Sequence, residues 1–243
     1  ISCYRITLIS KISCDVISCR RQTSSESRYQ VCFCGSSPSI VSSYRIVRTA
    51  ITCCQRNSQK AHLANSKLQD FGPFPKDIKK QEFHPFHIPA SDLIQNETNL
   101  LTEDYAELRD AFISASPHAH WRQTYKGTII GQKFLNEFGC YGLIGPESPF
   151  QSEKIRAWVV YMPKKFYYPW HHHPAEEMYL CLAGEAVFRR ENCPDIRLSS
   201  GGIMEHSSNE PHSMETLEHP IMAYVVWRNE FGTKPVLTFE DAR

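Results

Sequence analysis

The chain has 243 residues, 22% of them charged, and its formal net charge is +1 at pH 7. Such a balance excludes partners recognised through a strong long-range field, such as nucleic acid or an anionic membrane, and no apolar run approaches the roughly 20 residues that span a bilayer. The length suits one well-buried domain with additions, or two small ones, so we expect a soluble globular protein.

Residues 1–60 differ in composition from the rest of the chain. They are rich in Ser, Arg and Cys, carry only Asp15 and Glu26 as acids, and show no sustained helical or strand period. This composition resembles an organelle transit peptide, whereas the position of the first methionine, Met162, favours upstream translation of a non-native leader. We therefore expect an unstructured or non-native leader, and a cytoplasmic protein unless the leader is a genuine transit peptide.

Residues 61–139 are predicted to form an arm and a small helical preface. The segment 71–89 is punctuated by prolines and reads as irregular. The segment 101–116 predicts a helix with Thr102 as its N-cap, because its apolar residues recur at helical spacing: Leu101, Tyr105, Leu108, Phe112 and Ile113. A second, shorter helix is predicted over 128–138.

Residues 140–235 favour a mainly β domain. Short apolar segments rich in β-branched and aromatic residues are separated by Pro, Gly, Ser and Asn turns, which is typical of a β-barrel or a double-sheet jelly roll. The predicted strands cover residues 156–162, 177–184, 185–191, 201–206, 211–217 and 221–228.

The segment "YYPWHHHPAEEMYLCLAG" (167–184) contains candidate metal ligands. Alternate residues of a strand face the same way, so His171 and His173 can point into one cavity while His172 points out. Glu177 follows after a short turn. Two imidazoles and a carboxylate suit a divalent first-row metal with open positions, and a fourth ligand would come from a distant strand.

The candidates for that fourth ligand lie in "GGIMEHSSNEPHSMET" (201–216). His212 stands at the start of a strand after a proline, and His206 is a competing candidate in the same segment. Glu176 is out of phase with Glu177, so we expect it on the outer face or in an ion pair. Gly184 is expected to form the turn after the first motif.

Together the two segments resemble the motifs of the cupin superfamily, the first from His171 through Gly184 and the second ending at His212. The sequence over roughly residues 95–235 is similar to the dimethylsulfoniopropionate (DMSP) lyases of the DddL type. The segments that carry this similarity are "YYPWHHHPAEEMYLCLAGEAVF", "EPHSMET" and "PIMAYVVWR". The resemblance implies a cupin double-stranded β-helix, or jelly-roll barrel, with a small N-terminal helical preface.

The resemblance also implies a reaction and its residues. DMSP lyases split a sulfonium propionate into dimethyl sulfide and acrylate by β-elimination, with a metal held here by His171, His173, Glu177 and His212. A tyrosine two positions after the glutamate acts as the base, and Tyr179 occupies that position. The other interpretation is that Tyr179 is a core aromatic. Tyr168, three residues before the first histidine, is assigned a supporting role.

Further details remain open from sequence. Aromatic walls for the sulfonium could come from four residues that suit the barrel core equally well: Trp158, Tyr161, Trp170 and Trp227. The metal could be Fe, Mn, Ni, Co or Zn. The expected partner is a small sulfonium carboxylate, and exposed edge strands leave a homodimer open. The alternative functions are a cupin Fe(II) dioxygenase and a non-catalytic cupin that binds a metal or a small ligand.

Overall fold

The described part of the chain contains four α-helices and a short 3₁₀ turn, most of which pack on the outer face of the sheet. The computed structural model describes residues 58–72 and 78–238, so nearly all of the predicted leader lies outside the described residues. The helices are α1 Gln59–Phe71, α2 Pro89–Gln95, α3 Ala106–Ala115 and α4 Gln132–Glu137, and the 3₁₀ turn is Ser116–His118. Within these ranges no helix is both long and apolar enough to cross a membrane.

Twelve strands form the rest of the described fold. They are β1 Lys79–Lys80, β2 Trp121–Arg122, β3 Gly139–Ile144, β4 Phe150–Gln151, β5 Ile155–Met162, β6 Tyr167–His172, β7 Glu176–Arg190, β8 Ile196–Ser199, β9 Ile203–His206, β10 His212–Glu215, β11 Ile221–Arg228 and β12 Val236–Leu237.

The strands build two walls that share β7. Hydrogen-bonded neighbours follow the order β1-β4-β3-β5-β11-β7-β10-β6-β12, with β2 added beside β3 and both β8 and β9 added beside β7. The first part of β7 pairs with β11 and β9, and the second part pairs with β8 and β10. Nearly all these pairs are antiparallel. The predicted mainly β fold, a cupin double-stranded β-helix, is confirmed.

Gly184 lies inside β7 rather than at a turn. The sequence predicted separate strands over 177–184 and 185–191, but β7 is continuous through both. Gly184 has a φ of 73°, and a Cβ at this position would lie 1.8 Å from the carbonyl oxygen of Pro220. The glycine therefore permits a sharp bend and a close backbone approach at the point where β7 passes from one wall to the other.

The central strands are buried on both faces, which explains their long apolar runs. Residues facing outward, such as Tyr141 and Leu180, pack with the helices in one hydrophobic cluster. Residues facing inward, such as Cys140 and Tyr179, belong to a second cluster between the walls. Helices α1, α2 and α3 thus cover the outer face of the sheet, whereas α4 packs through Phe134 against the interior cluster.

Helix α3 begins four residues later than the predicted N-cap. Thr102 Oγ1 does accept the N–H of Tyr105, at 3.1 Å, but the helix covers Ala106–Ala115. The carbonyl of Leu101 accepts the N–H of Gly184, at 2.8 Å. This tertiary hydrogen bond holds the chain against β7 and overrides the local helical period.

The other helices were predicted in part. Helix α4 is shorter than the predicted 128–138, because Gly131 before it has a φ of 85° and breaks the preceding chain. Helices α1 and α2 were not predicted. They flank the segment 71–89 that the sequence indicated as irregular, and each shares only one residue with it. The Ser58 side chain caps α1 by accepting the N–H of Ala61.

Candidate metal centre

Three histidines meet where β6 and β10 pair. His212, the first residue of β10, is the register partner of His171 on β6, and His173 follows directly after β6. All three side chains are buried. One ring nitrogen from each lies within 4.8 Å of those of the other two. The two predicted motifs therefore come together in space.

Each of these histidines is oriented by its own backbone. The Nδ1 atoms donate to carbonyl oxygens two residues away: His171 to Pro169 at 2.8 Å, His173 to Ala175 at 2.9 Å and His212 to Glu210 at 2.7 Å. A ring that donates from Nδ1 carries its lone pair on Nε2. This is the arrangement by which proteins fix histidine ligands of metals.

Glu177 brings a carboxylate to the same point, with different roles for its two oxygens. The indole N–H of Trp227 donates to Oε1 at 2.6 Å. Oε2 lies 3.4 Å from Nε2 of His173 and 3.2 Å from Nε2 of His212. Burial alone would raise the pKa of Glu177, but these two histidines hold it well below its usual range. The glutamate is therefore a carboxylate with one oxygen fixed and one directed at the histidines.

Several buried polar atoms at this point have no hydrogen-bond partner among the described residues. They include His173 Nε2, Glu177 Oε2 and His212 Nε2, all fully buried. An unpartnered buried polar group costs about 1–3 kcal/mol, so three such atoms directed at one another fit a bound cation. The donor set of imidazoles and a carboxylate fits a divalent transition metal ion.

His206 is the other candidate for the fourth ligand in the second motif, and it also lies near the three histidines. It forms an overlapping group with Glu177 and His212, whose donor atoms also lie within 4.8 Å of one another. Both of its ring nitrogens are buried without a hydrogen-bond partner in the described part of the chain. Its ring stacks on that of His212 at 3.9 Å and 13°. The structure thus places His206 next to His212, and both remain candidates for the fourth ligand.

Two neighbouring residues lie away from the centre, as predicted. His172 is half-buried, and its Nδ1 is 2.9 Å from Thr238 Oγ1. Glu176 forms an ion pair with Arg228 at 2.6 Å, and its hydrogen bonds to Arg228 and Asn229 lower its pKa. Strand alternation therefore separates the adjacent glutamates into a structural one and a site residue.

Tyr179 faces the interior next to Glu177. It is buried, and its ring meets that of Phe188 edge-on at 5.4 Å. Burial first, and the charge of Glu177 second, raise the pKa of Tyr179 well above its ordinary value. A phenolate at this position therefore requires a compensating positive charge.

Tyr168 and Tyr125 form a hydroxyl pair beside the histidines. The ring of Tyr168 stacks on His171 at 4.0 Å and 8°, and its hydroxyl lies 2.9 Å from that of Tyr125. Tyr125 also meets His171 edge-on at 6.4 Å. Sequence reasoning missed Tyr125, because it lies in an irregular segment between β2 and α4. Only its isolated aromatic character among polar residues could have signalled it.

A cavity of about 600 Å³ reaches from the solvent to these groups. Glu177, Tyr179 and Tyr168 line its inner part. Of the four predicted wall residues, Trp158 and Trp227 also line it, and their rings meet at 4.8 Å and 68°.

The other two predicted wall residues do not line the cavity. Tyr161 lies on the outer face, where its hydroxyl donates to Glu97 at 3.3 Å. Trp170 is absent from the residues that line the cavity. The sequence left a wall role and a core role open for both residues. Tyr161 has the core role, since it belongs to the hydrophobic cluster under the helices.

Comparison with protein families agrees with this geometry. The family model for dimethylsulfoniopropionate lyase matches residues 64–223, a range that contains the three histidines, Glu177 and Tyr179. The chain belongs to the DMSP lyase family. The family predicted from the sequence motifs is therefore confirmed.

Individual members of the DMSP lyase family show the same relationship. The DMSP lyase DddQ of Ruegeria pomeroyi is 44% identical over 183 residues, which cover 75% of this chain and 91% of the relative. The crystal structure of that DddQ superposes with a TM-score of 0.70 at 40% identity, covering 77% of this chain and 100% of the other.

A second structure, from a study of the DMSP lyases RdDddP and RnDddQII, gives a TM-score of 0.69 at 32% identity, covering 79% of this chain and 99% of the other. These relatives carry the DddQ name, where the sequence wording pointed to the DddL type. The difference lies within the family and leaves the predicted family unchanged.

Proposed function

We propose that the chain is a metal-dependent DMSP lyase, which cleaves DMSP to dimethyl sulfide and acrylate by β-elimination. The observation that carries the proposal is the convergence of unpartnered buried atoms of His173, Glu177 and His212 beside the buried Tyr179. Glu177 and Tyr179 also line a cavity that is open to solvent. The DMSP lyases among its relatives support the choice of substrate.

His171, His173, Glu177 and His212 would hold one divalent transition metal ion. Its identity is open among Fe, Mn, Ni, Co and Zn, since nitrogen and oxygen donors suit each of them. When bound, the ion supplies Lewis-acid stabilisation for the negative charge that develops on the substrate carboxylate. Trp227 supports the set by fixing Oε1 of Glu177, so that Oε2 keeps its direction.

Tyr179 Oη is the proposed proton acceptor. It takes the proton from the carbon next to the substrate carboxylate, the electron pair forms the double bond of acrylate, and the carbon–sulfur bond breaks to release neutral dimethyl sulfide. A free tyrosine has a pKa near 10, and burial raises that of Tyr179 further. The acceptor therefore depends on positive charge in the adjacent centre.

The remaining aromatic residues orient the reactants. Tyr168 is held between His171 and the hydroxyl of Tyr125, which places it as a positioning group for the substrate. Trp158 and Trp227 present aromatic surface to the same cavity. A ring face attracts a cation, so these tryptophans suit the sulfonium end of DMSP.

The test is headspace dimethyl sulfide from purified, metal-loaded protein with DMSP under nitrogen. The lyase proposal expects gas and acrylate in equal amounts without oxygen. Absence of gas above background from metal-loaded protein would exclude a lyase. Turnover that appears only with oxygen would indicate the dioxygenase alternative, and metal or ligand binding without any turnover would indicate the non-catalytic one.

A further inference from the structure

The outer part of the cavity is strongly basic. Four cationic residues line it: Arg122, Lys126, Arg156 and Lys234. Two carboxylates line the same cavity, namely Glu177 in the centre and Glu147 at the mouth, and Glu147 Oε2 lies 3.4 Å from Nε2 of His120. The described residues between the mouth and the centre therefore carry an excess of positive charge. The low-dielectric walls of a cavity focus the electric field of such charges.

Strand register places Arg156 in the same sheet as Glu177, two strands away. Glu177 on β7 is the register partner of Trp227 on β11, and Trp227 is the partner of Arg156 on β5. Neighbouring strands lie about 4.8 Å apart, so the Arg156 backbone is roughly 10 Å from that of Glu177. Residues opposite one another point to the same face, which here is the face of the cavity.

Arg122 reaches the same face through a separate pair of strands. It stands opposite Cys140 on β3, and Cys140 lines the cavity beside it. The Arg122 side chain is half-buried. No hydrogen bond or ion pair of its guanidinium is found within residues 58–72 and 78–238. A cation of this kind is ordinarily matched by an anion.

Arg156 is held in place but is also without a carboxylate. Its Nη1 donates to the carbonyl oxygens of Ser152 at 2.5 Å and Ile155 at 3.3 Å, and its guanidinium stacks on Phe231 at 4.3 Å. Burial and the charge of Arg122 both lower the pKa of Arg156. Both arginines line the same cavity, and in the described part of the chain neither guanidinium is paired with a carboxylate.

We propose that Arg122 and Arg156 form a subsite for the carboxylate of a small monocarboxylate, in the outer part of the cavity and separate from the metal centre. Guanidinium groups match carboxylates with paired N–H donors. DMSP has no net charge, and its sulfonium is repelled by this wall, whereas acrylate carries one negative charge. The subsite thus favours the product over the substrate. Naming acrylate as its ligand rests on the proposed function.

The test is equilibrium binding of acrylate and of propionate to metal-loaded protein, followed by ligand-observed NMR. We expect Arg122→Gln and Arg156→Gln each to weaken binding of both acids by roughly tenfold, because each removes a charge-assisted hydrogen bond. The matched control is Lys126→Gln, which removes one exposed positive charge from the same cavity. It should change binding less than twofold.

Three results would overturn the subsite. They are unchanged binding in Arg122→Gln, an equal loss in Lys126→Gln, and loss of binding in Glu177→Gln, which would place the acid at the metal centre. Arg156→Lys keeps the charge but loses the paired N–H donors, so it should bind both acids more weakly than the wild type. This variant tests the subsite even if Arg156→Gln does not fold.

The subsite and the lyase proposal fail separately. Acrylate and propionate binding needs no turnover, so binding that depends on Arg122 would stand even if no dimethyl sulfide were formed. If the protein is a lyase, acrylate inhibition of the wild type should weaken roughly tenfold in Arg122→Gln. A lyase whose inhibition by acrylate is the same in both proteins would contradict the subsite alone.

Discussion

Side chains on the two faces of the first part of β7 are equally buried, but they have different roles. Met178 and Leu180 face outward into a hydrocarbon cluster beneath the helices. Glu177 and Tyr179 alternate with them and face inward, where Glu177 Oε2 has no hydrogen-bond partner among the described residues. Burial alone therefore does not separate core from site in this protein. The distinction is whether buried polar atoms are satisfied.

Replacing Glu177 by Gln is expected to have the largest effect on the inner face. The change removes the negative charge at Oε2, and several kcal/mol of charge stabilisation correspond to a fall in turnover of roughly a thousandfold. Metal content, measured by mass spectrometry, should fall with it. Glu176→Gln, on the other face of the same strand, is the matched control and should keep both. Equal losses in the two variants would mean that the faces do not differ.

Tyr179→Phe separates the proton acceptor from the metal set. Removing only the hydroxyl should lower dimethyl sulfide release by roughly 10²–10⁴-fold, the usual contribution of a general base, while metal content stays at the wild-type level. Full turnover in this variant would show that Tyr179 is an ordinary core aromatic and that the proton goes elsewhere.

Leu180→Ala tests the outer face of β7, where we expect a loss of stability and no loss of turnover. Leu180 is completely buried, and such truncations cost about 2–5 kcal/mol of unfolding free energy. We expect a lower midpoint in urea, with turnover per folded, metal-loaded molecule unchanged. Met178→Leu, which conserves volume, should cost less than about 1.5 kcal/mol. A large loss of turnover without loss of stability would remove the distinction between the faces.

Tyr125 in the interior and Tyr141 on the outer face provide a further comparison of the two sides of the sheet. Tyr125→Phe removes the bond to Tyr168, and about 1.4 kcal/mol of lost positioning would lower turnover roughly tenfold. Tyr141→Phe is the control, because its hydroxyl donates to the Phe112 carbonyl at 2.8 Å on the outer face. It should lose about 1 kcal/mol of stability and no activity. Thermal melts and headspace assays on both variants distinguish the two outcomes.

The smallest effect concerns the Glu176–Arg228 ion pair. Its hydrogen bonds lower the pKa of Glu176, so its stabilisation is present above the ordinary glutamate pKa and is lost as pH falls through the lowered value. Because the pair is partly exposed, Glu176→Gln should cost under about 1 kcal/mol at pH 7. Urea unfolding should show that this difference shrinks with acidification. A difference that grows instead would contradict the assignment.

The sequence predicted the parts of the molecule that depend on local pattern. Period-two alternation separates His172 from His171 and His173, and it separates Glu176 from Glu177. Two short motifs were sufficient for the family and its fold. The placement of these residues at one centre agrees with the structure, and their role as ligands stays a prediction.

Features that depend on tertiary contact were not predictable in this way. The hydroxyl of Tyr125 reaches Tyr168 from a segment without periodicity. The start of α3 is set by the hydrogen bond between Leu101 and Gly184, not by a cap. Strands buried on both faces lose the alternation that would have distinguished Tyr161 from the cavity wall.

The bend at Gly184 has a consequence for the natural variation of this protein. A methyl group there would collide with the Pro220 carbonyl and push apart the strands that carry Glu177 and Trp227. Gly184 takes no part in the chemistry and lies seven positions along the strand from the carboxylate. We nevertheless expect Gly184 to tolerate as few substitutions as the proposed ligands do. An invariant glycine here across relatives would then reflect the backbone geometry that supports the centre, not a direct role in metal binding.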